Sequence, residues 1–109
     1  MNKIEINNML FEDIKHIDEN GLEYWYAREL QLVLDYKEWR KFENAIMKAK
    51  KSCENSGNVI YDHFVDTDKM IELAKGAKRQ VTDYKLTRYA CYLIAQNANP
   101  RLKIVALAF

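Results

Sequence analysis

The residues with the clearest chemical potential are cations in the last third of the chain. Lys75, Lys78 and Arg79 flank Gly76, Arg88 follows a potential helix cap at Thr87, and Arg101 and Lys103 follow Pro100. Long cations that converge on one face can neutralise phosphates, and the released counterions supply most of the binding free energy. A helix N-terminus adds unpaired N–H groups and a positive dipole beside Arg88. Arg40, Lys41 and Lys48 form a second basic patch earlier in the chain. Base-edge readers are harder to choose; Arg79, Gln80 and Gln96 are candidates.

Catalytic alternatives rest on fewer residues. Asp83-x-Lys85, with Asp66 or Asp68 on a neighbouring strand, imitates the layout in which metal-dependent nucleases pair carboxylates around a divalent cation. The match is three residues long, and an acid beside a lysine on a strand is usually an ion pair. His16 and His63 have no Ser or Cys partner at a telling position, and Asp62-His63 suits a turn hydrogen bond better than a general base. A glycine-rich phosphate loop is lacking, and Asp66-Thr67-Asp68 lacks the further ligands of a calcium loop. The expectation is a non-enzymatic domain with neither cofactor nor metal. Cys53 and Cys91 have no metal-ligand spacing and read as reduced packing residues. Seven tyrosines and two tryptophans allow base stacking by Tyr24, Tyr26, Tyr84, Tyr89 and Tyr92, but such spacing more often marks a core.

The elements that must position these residues follow from periodicity. Leu10, Ile14 and Ile17 suggest a short helix that ends near Asp18–Gly21. Residues 22–26 read as a strand, 64–73 and 79–86 as a hairpin joined by Ala74–Lys78, and 27–34, 37–54, 88–97 and 101–109 as helices. Gly57 suits a left-handed helix terminus and Thr87 an N-cap. The fold class is α+β: a small antiparallel sheet or hairpin packed with four to five helices. The expected core is Trp25, Leu30, Leu34, Trp39, Phe42, Ile46, Phe64, Val81, Leu86, Tyr89, Leu93 and Ile94.

The 109 residues fit one domain, with residues 1–9 as a loosely ordered lead-in. No apolar run approaches the ~20 residues of a membrane helix, and Met1–Glu5 does not begin a secretory signal, so the expected compartment is the cytoplasm. Net charge is only +1, yet its distribution is uneven. Residues 1–35 hold three Lys/Arg against eight Asp/Glu, whereas residues 75–109 hold seven against one. Such a chain can carry a positive face despite its near-neutral total.

Four blocks also resemble a known family: Asp83 through Arg101; Glu23-Tyr24-Trp25-Tyr26-Ala27-Arg28-Glu29-Leu30-Gln31 with Trp39-Arg40-Lys41-Phe42; Cys53-Glu54-Asn55-Ser56-Gly57 with Asp62-His63-Phe64; and Lys75-Gly76-Ala77-Lys78-Arg79. In order, they resemble the DNA-damage-inducible protein D family, whose N-terminal part is of the BRO-N type. The resemblance implies a DNA-binding domain tied to the bacterial DNA-damage (SOS) response or to phage-type, antirepressor-like regulation. Its DNA contacts would be Lys75, Lys78, Arg79, Arg88, Arg101 and Lys103, with strand form undetermined. Family members continue past this point, so the chain is expected to be an N-terminal domain or a truncated member. The alternative is a protein-interaction module that regulates a recombination or repair protein. The apolar Ile104, Val105, Leu107 and Phe109 would offer a surface for such a partner or for a homodimer.

Overall fold

Alternation of Tyr24, Trp25 and Tyr26 places one large apolar side chain on one face of a strand and two amphipathic rings on the other. That strand, β2 (Glu23–Tyr26), lies near the centre of a four-stranded antiparallel sheet in the computed structural model, which describes residues 11–98. The other strands are β1 (His16–Ile17), β3 (Phe64–Glu72) and β4 (Lys78–Leu86), in the order β1-β2-β4-β3. The helices whose two ends both fall among the described residues are α1 (Ala27–Val33), α2 (Trp39–Asn55), α3 (Ile60–His63) and α4 (Arg88–Asn97). The α+β expectation is borne out. The lead-in at residues 1–9 and the helix at 101–109 lie outside the described residues.

Trp25 and Phe64 both stand opposite Leu86, so three large side chains share one sheet face. All three are buried, and the stripes Phe42, Ala45, Ile46, Ala49, Cys53 of α2 and Ala90, Cys91, Leu93, Ile94 of α4 are buried in the same core. Burial of each large apolar side chain contributes about 1.5–3 kcal/mol. Leu30 and Leu34 complete the cluster, and Trp39 and Tyr89 pack against it while partly exposed. Cys53 and Cys91 are free thiols within it. The Thr87 hydroxyl accepts from Ala90 N at 3.1 Å, the cap expected for α4. Gly57 has φ +80°, as its place after α2 requires.

Two expectations need correction. Residues 11–13 are helical, but His16–Ile17 is a strand, paired with Glu23 and Tyr24. Asp18 Oδ1 accepts from the amides of Asn20 (2.8 Å) and Leu22 (2.9 Å), a side-chain turn that reverses the chain and brings His16 and Ile17 alongside β2. Ile17 is accordingly exposed. Val81, expected in the core, is only half-buried. Val81 is five residues from Leu86, so strand alternation turns it to the face opposite the core, where it stands across from Lys69; β2 itself reaches only Leu86 and Lys85 of β4. From Tyr84 back to Lys78, β4 pairs with β3 alone. The foot of this part is held by α1, whose Arg28 donates through N to Asp83 and through Nε to the Thr82 carbonyl, and beyond it the two strands project as a ribbon of about 10 Å at the usual strand rise.

Candidate nucleic-acid interface

The ribbon positions the charges. Successive strand residues point to opposite faces, so the register decides which side chains meet. Asp66 pairs with Tyr84, Asp68 with Thr82, Met70 with Gln80 and Glu72 with Lys78. These share the face that continues into the core. Val65 pairs with Lys85, Thr67 with Asp83, Lys69 with Val81 and Ile71 with Arg79, and these share the opposite face. Acids therefore collect on one side, where Glu72 stands across from Lys78 and Asp68 Oδ2 accepts from the Gln80 amide at 2.7 Å. The other side presents Lys69, Arg79 and Lys85, all exposed, and its one acid, Asp83, is 1% exposed.

The adjacent cations Lys78 and Arg79 thus point apart. Lys75 sits at the tip, in a turn with φ +62° at Lys75 and +77° at Gly76. Positive φ at both central residues is the signature of the hairpin turn whose twist matches its strands. Lys69 and Lys85 were missed as candidates because their grouping with Arg79 depends on the register across the turn, which composition does not reveal.

The basic face runs onto the outer face of the sheet. Lys85 Nζ stands 5.1 Å above the Tyr24 ring. Tyr24 stacks on His16 at 5.3 Å, and Tyr26 meets the same imidazole edge-on at 4.9 Å. Glu29 Oε1 lies 2.7 Å from His16 Nε2. A cleft of about 340 Å³, lined in part by His16, Tyr26, Glu29, Lys69 and Asp83, opens at the foot of the ribbon.

Asp83 has a structural task. Its Oδ1 accepts from Arg28 N at 3.0 Å and from Tyr84 N at 2.8 Å. Arg28 N is an early amide of α1, and Tyr26, at the helix N-cap, has no side-chain cap bond, so a strand residue caps the helix from outside. Burial pushes the Asp83 carboxyl above its ordinary pKa, opposed by the two amides. By register Asp66 and Asp68 belong to the other ribbon face; Asp68 borders the same cleft as Asp83, but Asp83 is committed to two backbone amides. No group of three or more His, Cys, Asp or Glu residues among the described residues is placed to hold a metal. His63 Nδ1 lies 2.7 Å from the Thr87 hydroxyl, which engages it beside the α4 cap.

Arg88 is held by acids. Its Nε and Nη2 donate to Glu23 at 2.7 and 3.1 Å, and its Nη1 donates to Glu12 at 3.1 Å. The guanidinium lies 5.0 Å from the Trp25 ring. It holds both carboxyls below their ordinary range, as bidentate charged hydrogen bonds do. The guanidinium therefore ties α4 to β2 and to the segment before β1. Of the second patch, Lys41 and Lys48 share one stripe of α2, Arg40 lies about a quarter-turn away, and Lys41 pairs with Glu38 at 3.2 Å. All three are exposed. Arg101 and Lys103 lie outside the described residues.

No solved structure matches the chain. Over 96 residues, 88% of its length, it is 46% identical to DNA damage-inducible protein D of Escherichia coli (strain K12). It covers 35% of that protein, about a third of the relative's length. The profile of the BRO family, N-terminal domain, matches residues 13–108. The resemblance read from the four sequence blocks is borne out. By a match that spans nearly all of its length, the chain belongs to the BRO family, N-terminal domain.

Proposed function

We propose that this domain binds DNA without catalysing a reaction on it, and that the contact surface is the ribbon face bearing Lys69, Arg79 and Lys85. The observation that carries the reading is the segregation of charge by register: three exposed cations on one face, with the acids on the other or buried. A two-stranded ribbon fits the major groove of a duplex, and cations along it would meet phosphate on either wall. Lys75 at the tip extends that reach, and Lys78 contributes less because Glu72 stands across from it. Arg101 and Lys103 stay in the proposed set on sequence grounds. Arg88 joins it only by exchanging Glu23 and Glu12 for phosphate. Arg40, Lys41 and Lys48 form the secondary surface. The name of the Escherichia coli relative supports a place in the DNA-damage (SOS) response, with phage-type regulation as the family's other setting. A cytoplasmic regulator is the form such a domain would take.

A second reading has its own observation. A groove of about 470 Å³ runs between Leu22, Val65 and Tyr89, with Leu22 and Val65 exposed. Such a surface suits a protein partner in recombination or repair, or a second copy of the chain. Fluorescence anisotropy of labelled duplex and single-stranded DNA at two salt concentrations, with EDTA present, separates the two. Steeply salt-dependent binding supports the DNA reading, and no binding at low salt overturns it.

A further inference from the structure

The cleft at the foot of the ribbon lies on the basic face yet is lined by acceptors. Lys69 is the cation of its lining, which also includes Glu29, His16, Tyr26, Asp83 and, from the other face of β3 by register, Asp68 and Met70. Glu29 uses Oε1 on His16 and so keeps Oε2 outside that bond, whereas Asp83 is almost wholly buried with its Oδ1 on two backbone amides, which leaves Glu29 as the accessible acceptor. Side-chain exposures of 36% for Glu29 and 37% for His16 make the recess accessible from solvent. Its volume, about 340 Å³, falls in the usual range for small-ligand recesses.

We infer that this recess accepts one unpaired nucleobase carrying an exocyclic amino group, cytosine above all, while Lys69 holds an adjoining phosphate. The inference rests on the DNA-binding reading above. A phosphate does not fit the recess itself, because carboxylates would repel it. A cationic peptide is opposed by Lys69, Arg79 and Lys85 on the approach. A base satisfies both conditions, being neutral with N–H donors and attached to an anion that Lys69 can meet. Carboxylates accept from the cytosine 4-amino group. Thymine presents a carbonyl oxygen at the same position, so a carboxylate there has no donor and meets a repelling lone pair. The Tyr26 ring offers the flat contact that every base can use. Extrusion costs least where the base is already unpaired, so a bulge or a single strand is the expected source.

The test uses fluorescent duplexes that are fully paired, or carry one bulged dC or one bulged dT, compared by anisotropy at fixed salt. The wild-type chain should bind the dC bulge about tenfold more tightly than the dT bulge, the lower part of the range for one good base contact. Glu29→Gln, which keeps a polar contact to His16, should bring that ratio near one, and Tyr26→Ala should weaken both bulged probes together. Thermal melting of each variant checks that it folds, and the dC/dT ratio is the readout. Equal binding of dC and dT bulges by a wild-type chain that still binds paired duplex would overturn the recess and leave the DNA reading standing. Failure to bind any of the three probes at low salt would overturn both.

Discussion

Truncation of Asp83 tests whether this carboxylate is architecture or chemistry. Asp83→Ala removes one oxygen that accepts from Arg28 N and Tyr84 N. Loss of a helix cap costs about 0.5–2 kcal/mol, and a buried amide left without a partner costs about 1–3 kcal/mol. Tyr84 is 6% exposed, so its amide has little access to water, whereas Arg28 is only partly buried and its amide recovers some hydration. The combined cost is about 2–4 kcal/mol, a fall of roughly 10–20 °C in melting temperature for a domain of this size. Asp83→Asn keeps the acceptor and discards the charge. Because burial raises the Asp83 pKa in the fold, the folded state binds that proton more tightly than the unfolded chain does. The group's contribution to stability is therefore most favourable below the unfolded value and declines as pH rises through the folded one. Asp83→Asn should then be neutral or stabilising at pH 7, and the two proteins should converge as pH falls towards 4. Circular-dichroism melts and urea titrations at pH 4–8 measure both. An Asp83→Ala protein that melts within about 2 °C of wild type would refute the cap, as would an Asn variant as damaged as the Ala variant.

Two further predictions concern the Arg88 cluster and the ribbon tip. Arg88→Gln should lower stability at pH 7 by about 1–2 kcal/mol, since the network is charged but half-exposed. Glu12 and Glu23 are held below their ordinary range, so this contribution is complete above about pH 4.5–5 and vanishes as pH falls through the lowered values; the two acid-unfolding curves should meet at low pH. Curves that stay parallel throughout would exclude the ion pairs as the source. Lys75→Asn should raise the melting temperature by a few degrees, about 0.5–1 kcal/mol, because asparagine adopts the left-handed backbone of Lys75 (φ +62°) more readily. A lower melting temperature would mean that the tip lysine makes a stabilising contact that outweighs its backbone cost.

The parts legible in the sequence are those that local physics decides. The stripe from Phe42 through Cys53, the Thr87 hydroxyl one residue before α4, and the glycine after α2 each announce an element without reference to the rest of the chain. Leu10, Ile14 and Ile17 have helical spacing too, but the Asp18 turn and pairing with β2 prevail over it. Period-two alternation along β4 already puts Val81, five residues from Leu86, on the face opposite the core, whereas sequence alone could not show where β2 stops. Nor could it show that Glu23, 65 residues before Arg88, would hold its guanidinium, or that Asp83 would cap a helix 55 residues earlier. The proposed interface depends on the same long-range information. Lys78 and Arg79 look like a pair along the chain and point apart on the ribbon, while Lys69, Arg79 and Lys85 are distant in sequence and share a face.

The central claim is that this shared face meets DNA phosphate, and the slope of log affinity against log salt tests it most directly. Each cation that contacts phosphate adds about 0.9 to the slope for duplex DNA. Lys69→Gln with Arg79→Gln should reduce the magnitude of the slope by about two, whereas Lys78→Gln, on the acidic face, should change it by much less than one. An unchanged slope in the double variant, or a larger loss from Lys78→Gln than from Arg79→Gln, would contradict the account.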